Sequence, residues 1–548
     1  MSEGRFGGFR LWGAYTAVEP MSQTLPDALL DAAAHHAKQT CLVFYDAAGA
    51  RETWTYEAFM LSARRLATFF KERGVAPGDR VATVSGNRPE VLLSYVACWL
   101  MGAVACPVNV EESEERKAYI LRHGACKIAL VEAEFKEEVA GHMPDLIPIE
   151  TLRAALTDLK PLKAANLPLG TGAFLVYTSG TTGEPKGVLL THGNLLANAR
   201  ATAEWHGLKQ GDGVMTVLPI HHVNGAVVTG LTSLLAGARH ILNRQFSPRT
   251  FWQRLAHERT ALASVVPTLL EFLLAADEDT SQLDLSELRY LLCGAGTLLG
   301  DTVTRFEERF GVAVCHGFGM SEATAYNTQF PMDLPGNERR YWYRAFGFPS
   351  VGCALDCNEV AVLRPDGSEA APLERGQLAV RGPAVMTGYL NDPAATKESF
   401  SGDWFLSGDE GFYEVDRTSR MFFFVSGRIK EIIVRGGVNV SPLEIDEVLT
   451  RLPGVRFTLS FPFENVCYGE EIAAYLVLED GVLEDGARLD EAAVLEHARK
   501  HLTFAKMPKV ILFGADIPFT TTGKPKRLAL AAALAPELAQ YRDVQFKA

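Results

Sequence analysis

Residues 178–187, TSGTTGEPKG, gather the groups that hold a phosphate. Gly180, Gly183 and Gly187 let backbone N–H groups approach an anion with no side chain in the way. Thr178, Ser179, Thr181 and Thr182 add hydroxyl donors, and Lys186 adds a positive charge. The loop of nucleotide-hydrolysing ATPases needs four residues between its first glycine and a Gly-Lys pair followed by Ser or Thr. Here Gly180, Gly183 and Lys186 stand three apart, so the pattern points to phosphate contact but away from that class. It fixes no reaction alone. Two other stretches carry chemistry-bearing side chains: LPIHHVNGAVV at 218–228, with two histidines and no carboxylate, and TTTGKPKR at 520–527, a basic turn.

The elements that must position these residues alternate between helix and strand. TYEAFMLSARRLATFFKERG, residues 55–74, has apolar side chains at helical spacing and ends in glycine. DRVATVSG reads as a strand, RPEVLLSYVACWLMG as a buried helix, and AVACPVN as the strand that follows it. CKIALVE at 126–132 and FLVYTSG at 174–180 are further strand-like runs, the second leading into the phosphate loop. Such alternation predicts parallel sheets covered by helices. Around Gly352 the character changes. Residues 356–382 show short alternating runs about a PDG turn, as in an antiparallel module. Another break falls at SGRIKEIIVRGG. The expected organisation is a large α/β domain at 1–427, made of βα subdomains with a β module. A smaller domain at 431–548 with its own βα pattern follows.

At 548 residues the chain is too long for one ordinary core. Its net charge of -13 argues against a nucleic-acid partner, which needs a basic face. The N-terminus lacks the apolar core of a signal peptide, and no stretch gives the roughly 20 apolar residues of a membrane helix. The expected compartment is the cytoplasm. Nine cysteines are scattered, and the close pair Cys353 and Cys357 has no second pair to complete a zinc site, so buried free thiols are expected.

YTSGTTGEPKGVLLTH resembles the signature loop of the adenylate-forming enzymes: acyl-CoA synthetases, luciferases and the adenylation domains of peptide synthetases. HGFGMSEAT, WFLSGDEGF, SGRIKEIIVRGGVNVSPLEIDEVL and PFTTTGKPKR match the family's later motifs in order, so the resemblance spans about residues 25–527. It implies a two-step reaction. A carboxylate attacks the α-phosphorus of ATP, releasing pyrophosphate and forming an acyl-adenylate, and a thiol then displaces AMP. By the same resemblance Phe318 stacks on adenine, where many members have tyrosine. Asp409 accepts bonds from the ribose hydroxyls with help from Arg428. Ser321, in place of the usual threonine, reaches the α-phosphate. Glu322 holds Mg2+, unless it serves only as an acid at a helix N-terminus. Lys524, directly after the glycine, is the adenylation lysine. The resemblance also implies a hinge at 428–430, where Lys430 falls, ahead of a small α+β domain that is mobile, and Gly436 and Gly437 line the thiol tunnel or form an ordinary turn.

His222 takes the family's position at the gate between acid and nucleotide, a core histidine being the alternative. Amino-acid-activating members place an aspartate in this region; its absence here makes an ordinary α-amino acid a poor substrate. Val223, Asn224, Gly225, Gly294, Ala295, Gly296 and Ala323 are the expected acid-pocket walls, small or apolar enough to favour a fatty or aryl acid. Coenzyme A is the expected thiol; the phosphopantetheine arm of an acyl carrier protein is the alternative. A luciferase-like oxygenase and a non-catalytic acyl-adenylate binder are weaker readings. The aromatic run RRYWYRAFGFPS at 339–350 is open to either local packing or a pocket lid.

Overall fold

The computed structural model describes residues 23–143, 145–178, 185–276, 278–479, 489–520 and 525–546. Among these, four sheets organise the chain. A nine-stranded sheet runs in the spatial order Cys353–Ala354, Tyr326–Gln329, Val314–Gly319, Tyr290–Cys293, Thr260–Val265, Gly213–Thr216, Arg239–Asn243, Thr40–Tyr45 and Arg51–Thr55. Its interior pairs are parallel and its two ends antiparallel. A seven-stranded sheet carries Lys186–Thr191 beside Gly172–Thr178, and then Val104–Val108, Arg80–Val84 and Cys126–Val131.

The helix Pro89–Met101 shows why these two sheets form one body. Every residue in it is buried, as expected of a helix apolar on all sides. Tyr95 donates from Oη to the Ile220 carbonyl at 3.2 Å on one side, and Trp99 donates from Nε1 to the Ala173 carbonyl at 3.1 Å on the other. The helix ends where Gly102 turns left-handed (φ 81°). The expected helix over 55–74 is present as Tyr56–Glu72, capped by the Thr55 hydroxyl.

The expected β module is an antiparallel sheet built on Glu359–Leu363, Gly376–Arg381, Trp404–Val415 and Met421–Arg428. The aromatic run precedes it for a packing reason. Trp342, on the helix Gly336–Arg344, stacks on Phe422 with centroids 4.0 Å apart, and Phe346 meets Phe424 at 4.9 Å. This supports local packing over a lid. The turn Ile429–Glu431 separates the module from a C-terminal sheet of Val438–Val440, Ile433–Arg435, Gly469–Leu478, Val455–Asn465 and Val510–Gly514. Eight of the nine cysteines are buried and none is paired; burial pushes the Cys353 and Cys357 thiols up to about 12.

Buried histidines add an acid sensitivity. His192 opens the helix His192–Trp205, is 0% exposed, and has no partner for either ring nitrogen among the described residues. Burial lowers its pKa from 6.5 to about 4. The folded chain therefore keeps this ring neutral while the unfolded chain takes up a proton as pH falls below about 6.5. The stability it contributes is complete above that value and is lost down to about pH 4. Melting temperature is expected to fall across this window, and less steeply in His192→Phe, as calorimetry at fixed pH steps would measure. An unchanged slope in the variant would remove His192 from the account.

Candidate active site

The phosphate loop is held at its two ends. Thr178 and Lys186 are register partners in the antiparallel pair Gly172–Thr178 and Lys186–Thr191. Ser179, Gly180, Thr181, Thr182 and Gly183 lie outside the described residues, as does Lys524.

In the nine-stranded sheet the strand Val314–Gly319 ends in Phe318 and Gly319, and the chain then makes a tight turn. Ser321 and Glu322 are half-buried in the single turn Ser321–Ala323. Thr324 follows at φ 68°, ψ -59°, a sparsely populated conformation for a β-branched residue. The Ala325 N–H bonds the Ala323 carbonyl at 2.9 Å, closing a three-residue turn. Thr324 is held there by its own hydroxyl, which donates to the Ala384 carbonyl at 2.6 Å. Such strain persists only where surroundings over-determine it, and it concentrates at functional sites.

A cavity of about 180 Å³ opens beside this turn. Phe318, Gly296, Asp409 and Arg428 line it from the large part of the chain, and Glu431, Glu447, Pro525 and Arg527 from the C-terminal part. Asp409 and Arg428 face each other across the pair Trp404–Val415 and Met421–Arg428. The Arg428 Nε lies 2.9 Å from Asp409 Oδ1, with the carboxylate nearly buried and the guanidinium half-exposed. The cavity thus offers an aromatic ring, a carboxylate and the half-exposed guanidinium paired to it, on three strands. Arg527 is fixed by bonds to Asp446 (2.8 Å) and to the Ser460 carbonyl. Glu447 crosses between the two parts of the chain: its Oε2 accepts the Gly300 N–H at 3.0 Å, at the start of the helix Gly300–Phe310. That is the helix end which favours negative charge. Burial pushes the Glu447 carboxyl up, with Arg451 opposing it.

His222 stands half-buried, its ring centroid 4.5 Å from that of His221. Its carbonyl accepts the Ala226 N–H at 3.0 Å as the chain enters the π-helix Asn224–Leu231. Such wide turns recur at functional sites. Val223 is buried, and Asn224 Oδ1 accepts from the Ser264 hydroxyl at 2.8 Å. A Cβ at Gly294 would lie 2.5 Å from the Tyr326 hydroxyl, so that ring closes the space behind residues 293–297. Ala295 is left-handed at φ 65° and lines the cavity with Gly296. Ala323 instead packs in the β module's core with Val351 and Phe423. Gly436 and Gly437, at φ 57° and 83°, form the exposed tip of the hairpin Ile433–Arg435 to Val438–Val440 and do not line the cavity in this arrangement. Lys430 is exposed in the turn Ile429–Glu431.

One contributor escaped sequence reasoning. Tyr389 donates its hydroxyl to Glu322 Oε1 at 3.1 Å, and the Lys186 Nζ sits 4.8 Å from its ring centroid. Burial, and after it the Glu322 carboxylate, push the phenol up, so it stays a donor. Among the described residues no cluster of His, Cys, Asp or Glu has a metal-site arrangement, and Glu322 has no cationic partner within ion-pair distance.

The pattern of the family described as AMP-binding enzyme matches residues 29–390, and that of the AMP-binding enzyme C-terminal domain matches residues 444–524. A sulfoacetate–CoA ligase from Cupriavidus necator is 34% identical, the match covering 87% of this chain and 92% of that protein. A feruloyl-CoA synthase from Amycolatopsis sp is 32% identical over 86% of this chain and 92% of its own. The crystal structure of ATP-bound MatB from Rhodopseudomonas palustris superimposes with a TM-score of 0.82 at 27% identity, covering 93% of this chain and 99% of that one.

Proposed function

This chain belongs to the AMP-binding enzyme family, and on that premise we propose how its residues divide the work of activating a carboxylic acid. It is an AMP-forming acid–thiol ligase: ATP and the acid give an acyl-adenylate and pyrophosphate, and the acyl group passes to coenzyme A. The observation that carries the division of roles is the meeting of Phe318, Asp409 and Arg428 around one cavity with Pro525, the residue next to Lys524.

Adenine lies against Phe318, and the ribose hydroxyls share Asp409 and Arg428. The β- and γ-phosphates lie on the loop from Thr178 to Lys186, where the lysine stabilises charge on the departing pyrophosphate. Ser321 donates to the α-phosphate. Lys524 stabilises the charge that develops as the carboxylate attacks. Glu322 fits Mg2+ chemically, being a hard oxygen donor that has no cation paired to it among the described residues. When bound, that ion screens the repulsion between the phosphates and the incoming carboxylate.

The acid lies between His222, Val223, Asn224, Gly225 and the loop of Gly294, Ala295 and Gly296. No carboxylate lies within residues 218–228 to pair with an α-ammonium, which favours a fatty or aryl acid over an ordinary α-amino acid. Relatives are named for sulfoacetate, oxalate, ferulate and long-chain fatty acids, so those acids belong in the test panel beside aryl ones. Acid-dependent pyrophosphate release followed by thioester formation, first with coenzyme A and then with an acyl carrier protein, identifies both substrates. No release with any acid would overturn the reading. The working compartment is the cytoplasm; among the described residues no helix is long and apolar enough to cross a membrane.

The domains are 1–427 and 431–548, with the hinge at 428–430 supported by the position of Lys430 in the turn between two sheets. Rotation there withdraws Lys524 and brings Gly436 and Gly437 to the thiol. Lys430→Pro is accordingly expected to leave pyrophosphate release within about threefold while slowing thioester formation from supplied acyl-AMP more than about tenfold. Equal rates for both halves in the variant would remove the hinge.

A further inference from the structure

Lys186 and Glu322 carry opposite charges, and in the reading above they do different work: Lys186 meets the departing phosphates and Glu322 would hold Mg2+. Both described, they form no ion pair with each other; one side chain stands between them. Tyr389 offers its ring face to the Lys186 ammonium at 4.8 Å and its hydroxyl to Glu322 Oε1 at 3.1 Å. A ring face attracts a cation, and a phenol donates well to a carboxylate. One residue type satisfies both charges without letting them neutralise one another.

The backbone makes this placement firm. Gly388–Tyr389 pairs antiparallel with the strand that Lys186 begins, Tyr389 opposite Val188. The Leu390 N–H reaches the Gly187 carbonyl at 2.7 Å, and the Tyr389 N–H is taken by the Thr396 hydroxyl at 2.9 Å. A few residues earlier the same segment grips the Ser-Glu turn: the Met386 N–H bonds the Glu322 carbonyl at 2.7 Å, and the Ala384 carbonyl takes the Thr324 hydroxyl at 2.6 Å. Residues 384–390 are thus a strap from the exit of the phosphate loop to the turn bearing Glu322.

We infer that Tyr389 is a positioning residue that holds Lys186 and Glu322 apart and aimed, Lys186 at the leaving phosphates and Glu322 at the divalent cation. This rests on the reading of the site under Proposed function. Tyr389→Phe keeps the ring and the hold on Lys186 but frees Glu322; Tyr389→Leu removes both.

The test measures ATP binding to the full chain by calorimetry, without acid or thiol, over a series of Mg2+ concentrations. For Tyr389→Phe, ATP affinity at saturating Mg2+ is expected to stay within about threefold of the parent, while the Mg2+ concentration for half-maximal binding rises about tenfold. Tyr389→Leu is expected to weaken ATP binding at every Mg2+ concentration. A Tyr389→Phe chain with the parent's Mg2+ dependence would overturn the inference while leaving the site reading intact. So would a Tyr389→Phe chain that fails to fold, since the phenol would then be a structural element. A parent chain that binds no ATP would overturn both.

Discussion

Lys524→Ala is expected to lower acid-dependent pyrophosphate release by roughly a hundred- to a thousandfold, the loss seen when one preorganised donor is removed from developing charge. Thioester formation from supplied acyl-AMP should survive largely intact. Lys524 lies outside the described residues, but Pro525, which follows it, is described. Pro525 lines the same cavity as Asp409 and Arg428, and Arg527 is held there by bonds to Asp446 and the Ser460 carbonyl. The residue before Pro525 is the lysine to which the adenylation role is proposed. Once the acyl-adenylate exists, the extra charge that develops between the attacking carboxylate and the α-phosphate has left with the pyrophosphate, which is why the second half should be spared. Measuring both halves separately decides it: equal losses would show that the substitution damages the site generally.

Gly319→Ala is expected to be as damaging without removing any catalytic group. A Cβ there would overlap the Ala325 carbonyl and come within 2.8 Å of the Tyr326 Cα, all backbone atoms that no rotamer change moves aside. The Ala325 carbonyl is meanwhile committed to the Met320 N–H at 3.0 Å and the Asn327 amide at 3.2 Å. The turn that presents Ser321 and Glu322 must therefore shift, or the fold must loosen. Either a loss of more than about 4 kcal/mol in unfolding free energy or a fall of at least about a hundredfold in pyrophosphate release is expected. Gly336→Ala is the control, since only the tips of arginine side chains approach its added carbon, at 3.9 Å. It should change stability by less than about 0.5 kcal/mol. A Gly319→Ala enzyme with parental melting and activity would show that the turn has slack.

What was legible in the sequence followed the range of the forces involved. Helix 55–74, the buried helix after it and the strands on either side were readable because periodicity and caps are local. The ordered motifs led to Asp409, Arg428 and Phe318, which the structure brings to one cavity. Tyr389 was not readable, because its two contacts are made with residues 203 and 67 positions away in the chain, and a tyrosine in GYL announces neither. Glu447 was quoted within a motif but its bond to Gly300, 147 residues distant, depends on how the two parts of the chain pack. The π-helix at Asn224–Leu231 left no mark either, since a widened turn uses the same apolar residues as an ordinary one. The aromatic run was ambiguous for the opposite reason: composition signalled large buried surfaces, but only the stack of Trp342 on Phe422 says against what.

The pairing of Thr178 with Lys186 has a consequence for binding entropy. The ends of the seven-residue stretch between them are held together by the pairing of two strands in the sheet, so the cost of bringing those ends together is borne when the protein folds. A ligand arriving later does not bear that cost again, and the lysine at the loop's exit is already in register. For the same reason, lengthening this loop by a residue or two should tax affinity through the loop itself while leaving Lys186 where the strand puts it.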